Sequence, residues 1–583
     1  MTLAPRSRLS LYDIVRPPAG WSFDAMIVCT YSADLRSILA LPGAVVVDGQ
    51  GGRMLTDRVT PAQLALLRRT CERSLIFCQE AALLGAEQLT SAIIETEPMV
   101  KAVTAPGGGA FHPKVWMVRF RMDDRICYRL AVMSRNLTAD RSWDVGVILE
   151  GRLTDRPARR DGLGTLLAAL PGRCRRPLNE VQQALLSDFA TTADRIQWTL
   201  PQGLTRLQLH VTGLGAQWAP PQSDRLAVFS PFLDKGALEA LAGASNEAAL
   251  LVSRPDALDR CWTAANTRFA RKTVLAPPSD LGGDLPSGAL HAKVFAWEVK
   301  GRCGLAVGSM NATSAALRGR NVEFMAVVDA TKALPRGLAS LVDDGPLAAC
   351  LADYLPPSDA PVDAPPPDDR PARRKICDLN MKLVCTAQGE DWRLELVAES
   401  PLEKSAGALL KGLTFRPATL AASRGAPCLA GLARDARVVF PTLLPLASIT
   451  GYVVFEAKDV GAFTLNLPVE GVTDDARRTA ALRTILPDER SFMDFIRAFF
   501  DDPEGLDSTP GSDEDQGLAA WGAGIAQGGL LEMMVRCAAD EPQRLHQLGD
   551  AIRSLGAEEF ERLAPEAFRT LWTTLARDAG VAL

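Results

Sequence analysis

Two of the four histidines in this 583-residue sequence are followed two positions later by lysine: His112-Pro113-Lys114 and His291-Ala292-Lys293. Downstream of each comes a Ser-x-Asn, Ser134-Arg135-Asn136 and Ser309-Met310-Asn311, and then an acid, Asp144 or Glu323. These are the groups that attack on a phosphodiester requires. Negative charge gathers on the equatorial oxygens beside a leaving alkoxide that needs a proton. Lys114, Lys293, Asn136 and Asn311 would supply fixed donors for that charge. One imidazole can attack phosphorus while a second, protonated, serves the leaving oxygen. Asp144 and Glu323 would each orient a histidine through its second nitrogen, in the same or the opposite half.

Positioning these groups falls to a duplicated framework. Ala25–Leu39 corresponds to Leu226–Leu241, each an apolar strand, a polar turn and an Asp (Asp34, Asp234) placed to cap a helix. Ser74–Gln79 corresponds to Leu250–Arg254, and Phe111–Val118 to Leu290–Trp297. Leu130–Thr138 matches Leu305–Thr313, and Trp143–Leu149 matches Val322–Val328. Five blocks in one order imply two homologous α/β lobes. Alternation in F-H-P-K-V-W and L-H-A-K-V-F predicts His and Lys on one face of a strand, with Pro113, Ala292, Val115 and Val294 turned away.

This doubled His-x-Lys, Ser-x-Asn and acid pattern, over about residues 10–335, resembles the phospholipase D superfamily. The resemblance implies two half-sites meeting at a pseudo-twofold interface to form one active site. It assigns the catalytic set to His112, Lys114, Asn136, His291, Lys293 and Asn311, with Ser134, Asp144, Ser309 and Glu323 supporting. It further implies a phosphohistidine on His112, with His291 as the acid. The family's Asp five residues after Lys is replaced by Arg119 and Glu298, a loss shared with the tyrosyl-DNA phosphodiesterase branch.

The expected fold is α/β. Two lobes, 1–165 and 200–350, each a mixed sheet with flanking helices, lead through a Pro-rich linker (351–374) to a β-rich, sandwich-like module (375–472). An α-helical domain (473–583) follows, its expected helices at Ser491–Phe500, Leu530–Cys537, Gln543–Leu555 and Ala557–Ala576. Arg152–Arg176 is polar and basic and reads as a break, and Asp501–Gln516 as an acidic flexible loop. Hydrophobic residues make up 47% and charged residues 23%, which excludes a mainly disordered or fibrous chain. No apolar run approaches the ~18 residues of a membrane helix. The N-terminus lacks an apolar signal core, so a cytoplasmic location with reduced cysteines is expected. His210 and His546 have no matching Lys and read as ordinary surface or core residues. The Gly107–Gly109 run reads as a flexible loop, with backbone approach to a phosphate as its functional alternative.

The net charge of −5 conceals a split. Residues 1–160 hold 21 Lys and Arg against 16 Asp and Glu, whereas residues 375–583 hold 21 against 31. A cationic catalytic front favours nucleic acid, most simply DNA, with Arg119, Arg121, Arg125, Arg129, Arg135 and Arg141 tracking the backbone. The acidic 501–515 stretch is expected to occlude that cleft. No Walker, His-Glu-x-x-His or clustered-carboxylate motif is present, so neither a metal nor another cofactor is expected. With no ATP motif present, analogy with the nuclease members of the phospholipase D superfamily implies a bacterial restriction or phage-defence effector with an ATPase or helicase partner, or a homo-oligomer, and no membrane association is expected. Alternatives are an end-processing or phospholipid phosphodiesterase, and a catalytically dead scaffold.

Overall fold

The computed structural model describes residues 10–44, 59, 61–85, 87–155, 162–276, 289–343, 347–357, 370–403, 410–500, 530–540, 542–578 and 580–581. Among them the repeated blocks build two mixed sheets. The first orders seven strands as Val100–Val103, Ser74–Gln79, Ser22–Thr30, Val115–Met122, Arg125–Met133, Gly146–Leu153 and Ile196–Thr199. The initial three are parallel and the rest antiparallel. The second sheet has eight: Thr205–Val211, Phe324–Asp329, Arg302–Gly308, Val294–Val299, Ser223–Phe229, Ser245–Val252, Arg271–Leu275 and Leu351–Asp353. Read from its far edge, after Leu351–Asp353, it repeats the order and directions of the first.

Central strands of both sheets are apolar on both faces because each face is covered. Met26 and Val28 enter one core cluster, while Ala25, Ile27 and Cys29 enter another. Such double burial requires near-continuous apolar runs rather than alternation. Where each first strand ends, the chain turns through an aspartate. Asp234 caps Lys235–Gly243, accepting from the Ala237 amide at 2.8 Å. Asp34 accepts from the Ser37 amide at 2.6 Å.

The lobes are joined by crossed backbone pairing. Phe111 bridges Val322, and Trp143 bridges Leu290. The amide of His112 donates to the Val322 carbonyl at 2.8 Å, and that of His291 to the Trp143 carbonyl at 2.9 Å. Each His-x-Lys therefore lies beside the acid-bearing segment of the other lobe. Here the strand expectation is corrected. Strands begin only at Val115 and Val294, and the His-x-Lys segments are extended leaders paired across the interface.

Gly109 is packed at this junction rather than serving as a flexible loop. A Cβ there would stand 1.8 Å from the Arg320 carbonyl oxygen. Backbone cannot yield as a side-chain tip can, so Gly109→Ala is expected to cost about 1–3 kcal/mol and to reduce activity by spreading the half-sites. Thermal unfolding and turnover measured on one preparation check both effects.

Behind the lobes the structure departs from the expected segmentation. Arg152–Arg176 is not a simple break, since it contains the helix Gly162–Ala169, which buries Leu163, Leu166 and Leu167. Of the Pro-rich linker, residues 358–369 lie outside the described residues, and Arg370–Cys377 is helical. The β strands form two sheets, but one does not stop at its own boundary. Gly461–Asn466 pairs with Leu83–Leu84, which pairs with Ala33–Asp34 of the first lobe. A six-stranded sheet thus runs from the rear of the chain into the front.

The chain ends in a helical region, as its apolar periodicity predicts. The span Ala557–Ala576 is two helices, Ala557–Leu563 and Glu566–Asp578, because Pro565 follows the first and cannot continue its hydrogen bonding. Phe492, Phe495, Ile496, Met534, Leu545 and Trp572 share one core cluster with Ile38, Leu41, Leu64 and Leu67. These helices cover a face of the first lobe. Asp501–Gln516 lies outside the described residues. No helix among the described residues is long and apolar enough to cross a membrane.

Candidate active site

Crossed pairing delivers each histidine to the acid of the opposite lobe. Nδ1 of His112 lies 2.8 Å from Glu323, and Nδ1 of His291 lies 2.8 Å from Asp144. The same-lobe alternative left open by the sequence is not realised. Each carboxylate is steadied by the serine of its own lobe. Ser309 Oγ donates to Glu323 at 2.5 Å, and Ser134 Oγ to Asp144 at 2.7 Å. Those hydroxyls in turn accept the amides of Phe324 and Val145, each at 2.9 Å.

Both lysines are fully buried. Lys114 Nζ donates to the His112 carbonyl at 2.9 Å, and Lys293 Nζ to the His291 carbonyl at 2.7 Å. An ammonium taken out of water survives only with charged or hydrogen-bonding partners. Burial holds Lys114 well below the ordinary lysine range, with Lys293 adding to the shift, and lowers Lys293 to about 8; the carboxylates Asp144 and Glu323 oppose both shifts. Asn311 is buried with its carboxamide oxygen unpartnered, and Asp144 Oδ2 is likewise without a hydrogen bond. Buried orphans of this sort mark a place completed by a ligand or water. Asn136 accepts from the Ser32 amide at 3.5 Å. The structure therefore gathers His112, Lys114, Ser134, Asp144, His291, Lys293, Ser309 and Glu323 into one connected cluster. Asn136 and Asn311 stand two residues beyond its serines.

The electrostatics of the halves differ. Burial, reinforced by Lys114, Lys293 and His291, holds His112 well below the ordinary histidine range. His291 is also lowered by burial and Lys293, but its contact with Asp144 opposes the shift. Glu323 is pushed up to about 8 by burial, against the pull of Lys114. For Asp144, burial is outweighed by the hydrogen bond and charge of His291, so its carboxyl lies below the usual value. The second lobe's histidine thus faces the firmer anion, while His112 is kept neutral.

Three neighbours escaped the sequence reading. The Tyr31 ring lies 5.1 Å from that of His112, with Lys114 Nζ 5.6 Å from the tyrosine centroid. Asn321 accepts the Ala110 amide at 3.0 Å and donates to Glu323 at 3.3 Å. Gln79 accepts the Phe111 amide at 2.6 Å. Their positions in the other lobe hold Pro231, Ser142 and Arg254, so a search for repeated residues passes over them.

The arginine track is corrected. Strand Val115–Met122 leads away from Lys114, placing Arg119 about 17 Å along at ~3.3 Å per residue. Arg119 pairs with Asp24 and Asp188. Arg129 donates to the carbonyls of Asp13, Ile14 and Arg16 and to Glu150. Arg121 and Arg125 flank the far hairpin, Arg121 within 3.5 Å of Asp24. Arg135 remains near the cluster, 3.7 Å from Asp144, and Arg141 is exposed on the same connection. Glu298 accepts the Leu338 amide at 3.3 Å. His210 packs on Trp218, and His546 is exposed. No group of three or more His, Cys, Asp or Glu among the described residues is placed to hold a metal ion.

No family model and no curated protein matches the chain. Solved structures to which it is similar include the following two. One is a mutant of yeast tyrosyl-DNA phosphodiesterase, 9% identical over 57% of this chain and 87% of that chain, with a TM-score of 0.36. The other is polyphosphate kinase from Porphyromonas gingivalis, 11% identical over 54% of this chain and 41% of that one, with a TM-score of 0.27.

Proposed function

We propose that the chain is a phosphodiesterase that cleaves nucleic acid, DNA first among its substrates, through a phosphohistidine on His112. The observation that carries this reading is the crossed pair His112–Glu323 and His291–Asp144, set around two buried lysines. A neutral His112 whose Nδ1–H is held by Glu323 keeps its Nε2 lone pair for attack. As the Nε2–P bond forms, the bond from phosphorus to the leaving oxygen breaks, and His291 gives that oxygen its proton. His291 then takes a proton from water, whose oxygen attacks phosphorus and releases His112. Lys114, Lys293, Asn136 and Asn311 balance the charge on the non-bridging oxygens.

The purified chain, incubated in EDTA with single- and double-stranded DNA, RNA and phosphatidylcholine, tests the reading. Cleavage of nucleic acid that disappears in both His112→Ala and His291→Ala is the expected result. Cleavage at an undiminished rate in either variant, or turnover of the lipid alone, rejects it.

A pH profile gives a second check. His112 must be neutral, and its value is lowered, so kcat/KM is expected to hold into mildly acid solution, below the usual histidine range. Lys293 must be charged, and its value is lowered to about 8. His291 must carry the proton it gives and its value is also lowered, so activity should decline as pH rises through the histidine range and fall further above about pH 8. A profile that falls through pH ~6.5 on the acid side contradicts the neutral His112.

A further inference from the structure

The twofold relation breaks at the turn that follows each lobe's first strand. The backbones there agree. Ser230 Oγ donates to the Phe232 carbonyl at 2.7 Å and accepts the Ala312 amide at 2.9 Å. Thr30 Oγ1 donates to the Ser32 carbonyl at 2.7 Å and accepts the Leu137 amide at 3.2 Å. The side chains do not agree. In the first lobe the aromatic ring is Tyr31, turned onto His112. In the second lobe it is Phe232, matched with Ser32, and it stands 41% exposed.

Phe232 lies at the site end of its sheet. Phe229, which closes the preceding strand, pairs with Val294, the neighbour of Lys293. Ala312, held by Ser230, adjoins Asn311. Arg254 emerges from the next strand, two residues beyond the partner of Phe229, and sets its guanidinium 5.8 Å from the Phe232 centroid. Asp256 holds its Nε at 3.0 Å. A large exposed aromatic face beside a steadied, planar cation is the pairing on which nucleobases stack, largely regardless of sequence.

We propose that Phe232 and Arg254 form a stacking subsite for the base of the nucleotide that leaves. The proposal rests on the phosphodiesterase reading. In-line displacement by His112 sends the departing oxygen toward its acid, His291, and so toward the second lobe, where Phe232 stands. Among the described residues, the matching turn of the first lobe offers no equivalent, because its ring, Tyr31, is turned onto His112. The base that remains on the phosphorylated product should therefore go unread by this pair.

The test uses a dinucleoside monophosphate and two analogues, each lacking one base. The leaving side is the product released without phosphate. For the wild-type chain, removing the leaving-side base is expected to lower kcat/KM about tenfold, and removing the other base to change it little. Phe232→Ala should cleave the dinucleoside monophosphate and the analogue lacking the leaving-side base equally, with an unchanged unfolding midpoint, since the ring is exposed. Phe232→Trp should restore the difference, and Arg254→Ala should weaken it. Discrimination retained in Phe232→Ala, or lost only for the base that stays with the phosphate, overturns the subsite alone. Failure of the wild-type chain to cleave, or cleavage undiminished in His112→Ala, overturns the phosphodiesterase reading and the subsite with it.

Discussion

His112→Ala is expected to form no covalent phosphoenzyme from any diester, whereas His291→Ala should still form one when the leaving group needs no proton. The difference follows from division of labour across the interface. Only His112 makes a bond to phosphorus, and its loss removes the pathway. His291 contributes proton transfer, worth about 10²–10⁴ in rate, and that contribution vanishes for a leaving group as weakly basic as a nitrophenolate. Rapid quenching of a labelled nitrophenyl nucleotide, followed by peptide mapping, reads the outcome. Wild type should show a burst and a label on His112. His291→Ala should show the burst, then slow release, because water in the second step still needs its base. A label that persists in His112→Ala reverses the assignment.

The second large effect concerns a residue of the other lobe. Glu323→Gln is expected to lower kcat about 10²–10⁴-fold, as carboxylate-to-amide changes beside a catalytic imidazole do. Glu323 accepts from His112, Ser309 and Asn321. An amide can present its NH2 to His112 and fix the wrong tautomer, leaving Nε2 protonated and unable to attack. An unchanged kcat in Glu323→Gln would separate Glu323 from His112. Glu323→Ala should additionally destabilise the chain. It removes a hydrogen-bonded anchor between the lobes, so thermal unfolding distinguishes it from the glutamine variant.

Duplication is what made the cluster legible. A single His-x-Lys or Ser-x-Asn says little, but each recurs in order with the same flanking strands. The positions of His112, Lys114, Ser134, Asp144 and their counterparts could therefore be read without any structure. The matched Asp34 and Asp234 turns were legible for the same reason. Tyr31, Asn321 and Gln79 had no such support, since the other lobe carries different residues there. The basic residues misled because a charge count ignores direction. Arg119 and Arg129 lie partway along a hairpin that extends away from the cluster and are engaged by Asp24, Asp188 and Glu150.

The composition behind residue 375 suggested separate modules because short strands and periodic helices carry no record of what covers them. Gly461–Asn466 instead continues a sheet that reaches Ala33–Asp34, and the last helices bury their apolar faces on the first lobe. Residue types, their order and their twofold repetition are determined by the sequence itself, because duplication preserves spacing along the chain. Which acid meets which histidine was decided only in three dimensions. The His-x-Lys leaders exchange backbone hydrogen bonds with the opposite lobe, and no local pattern encodes a pairing of histidine with acid across 211 and 147 residues. That exchange sets Glu323 against His112 and Asp144 against His291, and burial then gives two near-identical halves unequal protons.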